Sequence, residues 1–221
     1  MTGVLGYPKY GAQGGDWGGT VSVQLGRTYP DSLIGLHFNS ISTASAPLPL
    51  ESEQTLEERA YAAKLTAYRA AELDYLNEQR SKPETVALGL TDSPIGTAAW
   101  IVEKLKIWSD SPDQLEPAFT KDQILTNVMI YLVTNSIGTS IWFYRGAADD
   151  AGIRSGKVTV PTGFASSVHE MTSLNAPEST VARNFNLVHY TKLPRGGHFA
   201  FWEQPQTMVA DVRQFFRKLR S

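Results

Sequence analysis

The sequence has 221 residues, of which 42% are hydrophobic and 19% charged, and its formal net charge is −2. This composition is typical of a globular protein with one sizeable core or two small ones. Because basic residues are not in excess, neither nucleic acid nor an anionic membrane is indicated as a partner. Cysteine is absent, which excludes disulfides and thiolate metal sites. No apolar run approaches about 20 residues and no signal-peptide segment opens the chain, so we expect a cytoplasmic protein without a membrane segment.

The first 38 residues predict a strand, a helix and a second strand. Tyr10–Gly14 reads as a short strand, Gly18–Tyr29 as a helix, and the compact apolar run Leu33–Phe38 as a buried parallel strand. The sequence therefore begins with one β–α–β unit.

The stretch Gln13–Gly19 lies at the junction of that first strand and helix. Its pattern of small residues around Asp16 is the form of a nucleophile elbow, a tight turn that lifts one side chain above the sheet. An ionised carboxylate needs no base to activate it, and the N-terminus of the following helix favours its negative charge. The alternative is a glycine-rich turn in which Asp16 is only the helix N-cap, and this stretch alone fits that alternative about as well.

The middle of the chain predicts helices only. One or two amphipathic helices are expected between Glu51 and Arg80, a helix from Ser93-Pro94 to about Trp108, and a helix from the Thr120 capping box to about Tyr144. We therefore predict an all-helical insertion at 45–148 between two α/β segments, 1–44 and 149–221.

The last part of the chain returns to an α/β pattern. We predict two strands, a short helix, a loop and a C-terminal helix, in this order: strand 157–160, helix 179–184, strand 187–190, loop 194–199 and helix 205–219.

Four histidines are candidates for a catalytic base. His37 and His189 lie inside predicted strands, where structural histidines are the better interpretation, and His169 lies in a polar loop. His198 follows a strand and two glycines, in a loop that would hold an imidazole at the carboxyl edge of the sheet. His198 is therefore the favoured base.

A carboxylate partner for this histidine is expected at the same edge. Glu170 follows the strand at 157–160, and the chain order Asp16, Glu170, His198 is the order nucleophile, acid, histidine of α/β-hydrolases. Asp149 and Asp150 are weaker alternatives for the acid because both precede that strand.

The motifs resemble those of epoxide hydrolases of the microsomal and juvenile-hormone type and their soluble bacterial and fungal relatives. The segment 11–19, GAQGGDWGG, is similar to that family's nucleophile block, and 194–205, PRGGHFAFWEQP, to its histidine block. Segments 90–104 and 125–140 are similar to its lid. The resemblance runs from about Leu5 to Leu219.

The resemblance implies an α/β-hydrolase fold, present in part, with a parallel sheet flanked by helices and a helical lid inserted. Matched residue by residue, Asp16 falls on the nucleophile, Glu170 on the acid and His198 on the base. Two lid tyrosines that hold the epoxide oxygen in the family match Tyr144 and Tyr75.

The resemblance covers the C-terminal half of the family's enzyme. The family's N-terminal region, the first strands of its sheet and their His-Gly-x-Pro loop have no counterpart in this sequence. Of the two amides that form the oxyanion hole, only that of Trp17 is matched. The strand at Tyr10–Gly14 would then be an exposed edge through which the chain could form oligomers.

The implied reaction converts an epoxide and water to a vicinal diol through an ester on Asp16, with no metal and no organic cofactor. One alternative is a haloalkane dehalogenase, which uses the same aspartate and histidine and binds halide through N–H groups such as the Trp17 indole. A second alternative is a truncated fragment without catalytic activity.

Overall fold

The computed structural model describes residues 1–42, 46–111, 113–116, 118–150, 155–171 and 174–220. Four parallel strands form one sheet in the order β1-β2-β3-β4, with β1 at Tyr10–Gly14, β2 at Leu33–Phe38, β3 at Val158–Ser167 and β4 at Phe185–Leu193. Because the strands are parallel, their carboxyl ends lie along one edge, where the loops that follow them can meet.

Eleven helices are found among the described residues. In chain order they are α1 (Thr2–Leu5), α2 (Asp16–Thr28), α3 (Leu56–Glu72), α4 (Asp74–Ser81), α5 (Pro83–Asp92), α6 (Pro94–Ile107), α7 (Lys121–Thr134), α8 (Ile137–Asp149), α9 (Glu178–Asn184), α10 (Ala200–Glu203) and α11 (Pro205–Lys218). Short 3₁₀ turns occupy Pro30–Ser32 and Glu51–Glu53.

The chain forms two compact units. The first comprises Met1–Leu65 and Ile153–Ser221, and the second comprises Thr66–Gly152. The boundary predicted at residues 44 and 45 lies outside the described residues, and the extent of the lid as 45–148 stays a prediction.

The core of the first unit lies on and around the sheet. Strand residues that alternate toward α2 and the start of α3 are almost fully buried, among them Leu36, Phe38, Val158 and Phe164. Val23, on the inner face of α2, is also fully buried against them. Burying one such side chain stabilises the folded state by about 1.5–3 kcal/mol, so this packing fixes the sheet that carries the site.

A buried glutamate fixes the beginning of α3. Glu58 accepts the backbone N–H of Thr55 at 2.9 Å, and it also accepts the Ser179 hydroxyl at 3.0 Å and Nε of Arg183 at 3.1 Å. Burial opposes the charge of Glu58, but these three hydrogen bonds outweigh it and lower its pKa. The start of α3 is therefore tied to α9.

The second unit contains helices and turns in its described residues. The single helix predicted from Thr120 to about Tyr144 is wrong, because the chain breaks into α7 and α8 at an angle of 86°. Asn135 closes α7 in the left-handed conformation with φ 52°, which asparagine tolerates better than most residues. No single described helix is long and apolar enough to cross a bilayer, and α7 and α8 meet that test only as a bent pair.

Strand β3 is longer than the sequence predicted. It continues from Val158 through Pro161 to Ser167, although Pro161 lacks an N–H for the sheet. The pairing with β4 shifts register between Val158 and Pro161, and such an irregularity is where a strand accommodates proline. Its last residues, Ser166 and Ser167, therefore carry the chain to the carboxyl edge of the sheet.

Candidate active site

The turn between β1 and α2 has the geometry of a nucleophile elbow. Gly15 is extended, with φ −137°, and Asp16 adopts the left-handed region with φ 51°. A non-glycine residue held there costs about 1–3 kcal/mol and persists only where the surroundings impose it. The turn places Asp16 at the first position of α2, above the carboxyl edge of the sheet.

Three of the four glycines around Asp16 are required by close contacts with neighbouring atoms. A Cβ atom on Gly14 would collide with the backbone of Gly18, and one on Gly19 would lie 2.7 Å from the carbonyl oxygen of Ser40. A Cβ atom on Gly15 would lie 2.5 Å from Oδ1 of Asn39. The tight turn therefore needs glycine at positions 14, 15 and 19, whereas a Cβ atom on Gly18 would have no atom within 4 Å.

The structure brings Asp16, Glu170 and His198 together. Nδ1 of His198 lies 2.8 Å from Oε1 of Glu170, and its Nε2 lies 2.9 Å from Oδ2 of Asp16. The side chains of His198 and Glu170 are 6% and 1% exposed, whereas that of Asp16 is 39% exposed. His198 and Glu170 are thus shielded from water, while Asp16 stays accessible.

Two loops present the acid and the histidine from neighbouring strands. Glu170 follows β3, where its N–H donates to the carbonyl of Ser167 at 3.1 Å. The His198 loop follows β4 and turns at Gly196, whose φ of 106° favours glycine. The N–H of His169 donates to the carbonyl of Gly196 at 3.1 Å, so the two loops are joined directly.

The charge of His198 is set by its two carboxylate neighbours. Burial alone opposes a charged imidazole, but hydrogen bonds to Asp16 and Glu170 outweigh it and raise the pKa of His198 to about 10. Near neutral pH the histidine is therefore an imidazolium between two acids.

The remaining predicted site residues lie in two places. Trp17 is the second residue of α2, so its amide belongs to the first turn after the elbow. Tyr75 and Tyr144 lie together in the second unit, with ring centroids 6.2 Å apart in an edge-to-face arrangement. Nζ of Lys104 lies 4.9 Å from the centroid of the Tyr75 ring. The position of both phenols relative to Asp16 stays a prediction.

A second buried ionisable cluster lies on the α11 side of the sheet. Nε2 of His37 is 2.8 Å from one carboxylate oxygen of Asp211, and Nε2 of His189 is 2.9 Å from the other. Burial raises the pKa of Asp211, but hydrogen bonds from His37, Thr191 and His189 outweigh it and lower that pKa to about 2. His37 and His189 are core residues, as expected from their strand positions.

Sequence reasoning missed Asp211 and Asn39. Asp211 lies on the buried face of α11 between Met208 and Phe215, and this acidic residue on an apolar helix face was the available signal. Asn39, buried directly after β2, accepts a hydrogen bond from Nε2 of Gln13 at 3.0 Å. Nothing in the local sequence pointed to Asn39.

No group of three metal-ligating side chains with suitable geometry occurs among the described histidines, aspartates and glutamates. The arrangement at the sheet edge is suited to covalent catalysis, since it has an accessible carboxylate, a buried imidazole and an acid bonded to that imidazole.

The structure is part of an α/β-hydrolase fold, with a parallel sheet, an elbow after β1 and the loops of Glu170 and His198 after β3 and β4. No protein-family model matches the chain. Among the curated proteins similar in sequence, and among the solved structures with about 30% identity, are epoxide hydrolases.

Three of these relatives illustrate the match. Epoxide hydrolase 1 of Sus scrofa is 34% identical over 237 residues, covering 96% of this chain and 51% of that protein. The Aspergillus niger epoxide hydrolase structure matches with a TM-score of 0.81 and 29% identity, over 99% of this chain and 55% of that one. The structure of juvenile hormone epoxide hydrolase from the silkworm Bombyx mori matches with a TM-score of 0.80 and 31% identity, over 99% of this chain and 52% of that one. The chain spans about half the length of the curated relatives it matches.

Proposed function

We propose that the chain hydrolyses an epoxide to a vicinal diol through a covalent ester on Asp16. The observation that carries the proposal is an aspartate at the elbow whose Oδ2 lies 2.9 Å from Nε2 of His198. A serine at this position would need the histidine for its own activation, whereas an aspartate leaves the histidine for a later step. The similarity to epoxide hydrolases supports the choice of substrate class.

In the first half-reaction a carboxylate oxygen of Asp16 attacks one ring carbon of the epoxide. The carbon–oxygen bond of the ring breaks, and the released oxygen takes a proton from the phenol of Tyr144 or Tyr75. The adjacent rings of these two tyrosines support their joint action on one oxygen. The products are a hydroxyalkyl ester on Asp16 and a tyrosinate.

Ester formation also changes the state of His198. It removes the negative charge of Asp16, one of the causes that raise the pKa of His198 to about 10 in the free protein. The imidazolium can then release its proton, through solvent, to the tyrosinate. Both the phenol and the neutral imidazole are thereby regenerated.

In the second half-reaction the neutral His198 takes a proton from water, and the hydroxide attacks the ester carbonyl. Glu170 orients the imidazole and stabilises its cation, and the amide of Trp17 donates to the tetrahedral oxyanion. Collapse releases the diol and leaves Asp16 ionised beside a protonated His198. The cycle therefore ends in the ion pair from which it began, and it requires only epoxide and water.

The proposed reaction needs neither a metal nor an organic cofactor, because both bond changes use side chains and water. The substrate is a small-molecule epoxide. The cytoplasmic location expected from the sequence stays a prediction.

A labelling experiment tests the ester. One turnover of an aryl epoxide with enzyme in excess, in ¹⁸O-water, should give an unlabelled diol and place the label in the Asp16 carboxylate. Repeated turnover should then give a labelled diol. Asp16→Ala should form no diol and carry no label, whereas a diol labelled in the first turnover would mean direct attack by water.

A haloalkane tested in parallel should release no halide. Release of halide without diol formation from the epoxide would support a dehalogenase instead.

A further inference from the structure

A single carboxylate holds the loop that carries His198 from both sides. Oε1 of Glu203 accepts the backbone N–H of Gly197 at 3.1 Å and that of Phe199 at 3.1 Å. These are the residues immediately before and after the histidine. A carboxylate oxygen has the lone pairs to accept both hydrogen bonds.

The glutamate is itself anchored close to the loop. It is the last residue of α10, and its own N–H donates to the carbonyl of Phe199 at 3.0 Å. Glu203 thus hydrogen-bonds the residues on both sides of His198, through its side chain to Gly197 and through its side chain and backbone to Phe199. On the other side, the contact from His169 to Gly196 fixes the beginning of the loop.

We propose that Glu203 is a positioning residue that sets the place of the His198 imidazole by accepting the two amides that flank it. The loop would otherwise be free to move, because two of its residues are glycines and Gly196 has a positive φ. The imidazole must satisfy two short contacts at once, 2.8 Å to Glu170 and 2.9 Å to Asp16. A small displacement of the backbone breaks at least one of them.

The catalytic consequence rests on the proposed function, and it falls on one half-reaction. Alkylation of Asp16 does not use the imidazole, so loss of Glu203 should leave ester formation nearly unchanged. Hydrolysis of the ester needs the base in place, and a misplacement near 1 Å costs roughly 10²-fold in rate.

Two substitutions separate the acceptor oxygen from the charge. Glu203→Gln keeps an oxygen that can accept both amides, whereas Glu203→Ala removes it; Glu178→Ala, at an exposed position, is the matched control. The first readout is the pKa of His198, measured by NMR of isotopically labelled histidine, which needs no turnover. The second is the rate of ester hydrolysis compared with the rate of ester formation.

We expect Glu203→Ala to lower the pKa of His198 by at least about one unit, because its contacts to both acids loosen. Ester hydrolysis should slow roughly 10–100-fold with ester formation within about twofold. In Glu203→Gln and Glu178→Ala, the pKa of His198 and the rate of ester hydrolysis should both stay near those of the parent. If Glu203→Ala does not fold, Glu203→Asp, which keeps the charge but withdraws the oxygen by one methylene, should show the same losses.

An unchanged pKa of His198 in folded Glu203→Ala or Glu203→Asp would overturn the proposal, even if thermal stability fell. Equal losses in the Gln and Ala variants would also overturn it, since the charge and not the acceptor would then be responsible. Absence of any ester in parent and variants would contradict the proposed function, while the pKa comparison would still decide the role of Glu203.

Discussion

His198 and Asp16 make a 2.9 Å contact between Nε2 and Oδ2 although 182 positions separate them in the chain. Asp16 follows β1 and His198 follows β4, the two outer strands of the described sheet. The contact therefore depends on loops that reach across the carboxyl edge from opposite sides. It also joins a strained elbow to an imidazole whose charge is fixed by its neighbours.

The pKa of His198 is the first testable consequence of this contact. Histidine-selective NMR should find His198 still protonated at pH 8, with a midpoint near 10. Because the folded pKa is raised, the ion pair contributes stability fully below the ordinary histidine pKa of about 6.5 and loses it as pH rises through about 10. Asp16→Asn should lower the midpoint, since it removes one charge, whereas Asp31→Asn at an exposed position should not. A parent midpoint near 6.5 would contradict the described geometry.

The second prediction concerns the lid phenols. Tyr144→Phe should slow formation of the Asp16 ester by roughly 10²–10⁴-fold if the phenol acts as a general acid. Tyr75→Phe should have a comparable effect if the two share the oxygen, and a smaller loss in Tyr144→Phe would indicate that Tyr75 takes over. Tyr29→Phe, at an exposed tyrosine, is the control. Rapid-quench mass spectrometry measures the rates, and full-rate ester formation in a Tyr75→Phe, Tyr144→Phe double variant would exclude the phenols.

The third prediction concerns the cluster of Asp211 with His37 and His189. Asp211→Ala removes the carboxylate that two buried imidazoles share, and each hydrogen bond to a charged group contributes about 1.5–3 kcal/mol to the free energy of unfolding. Urea denaturation at pH 7 measures the loss. Asp31→Ala, at an exposed acid, should change the free energy by less than about 0.5 kcal/mol.

The same cluster predicts a pH dependence of stability. The pKa of Asp211 falls from 3.8 to about 2 in the folded protein, a difference equivalent to about 2 kcal/mol. Since the folded pKa is depressed, this stability is present above pH 4 and is lost as pH falls toward 2. The stability gap between the parent and Asp211→Ala should narrow over that range; a gap that stays constant would mean that the charge of Asp211 contributes nothing.

The fourth prediction concerns the edge strand. β1 pairs with β2 on one side and lies at the edge of the described sheet, and an uncovered edge favours association between chains. The chain alone should therefore be poorly soluble or oligomeric, and it should turn over an epoxide far more slowly than the same chain joined to the N-terminal half of a relative. Size-exclusion chromatography with light scattering should show a mass that rises with concentration. A monodisperse monomer with a cooperative melt and enzyme-like turnover would refute this expectation.

Local signals in the sequence were sufficient to predict the elbow and the first two strands that hold the site. The glycines around Asp16 predicted the elbow, and at three of the four a Cβ atom would collide with its neighbours. β1 and β2 lie at the predicted residues. The order of Asp16, Glu170 and His198 was enough to predict that their side chains would meet, since parallel strands end at one edge.

Features that depend on tertiary contacts could not be predicted from local sequence signals. The break at Asn135 was missed because the apolar pattern continues through it and a left-handed asparagine gives a weak signal. The extension of β3 past Pro161 depends on an irregular register with β4. Glu203 accepts hydrogen bonds from the amides of Phe199 and Gly197, four and six positions away. These hydrogen bonds depend on the conformation of the loop, which the pattern of side chains does not predict.

The most direct test of the covalent ester uses His198→Gln. In this variant Asp16 can still attack while the base for hydrolysis is gone, so the ester should accumulate. The parent must turn over the epoxide; if the chain alone does not, both proteins should carry the N-terminal half of a relative. Intact-mass spectrometry after mixing with a small epoxide should show a gain of one substrate molecule, mapped by peptide analysis to Asp16 and absent in Asp16→Ala. An active parent whose His198→Gln variant shows no covalent species would contradict the ester mechanism.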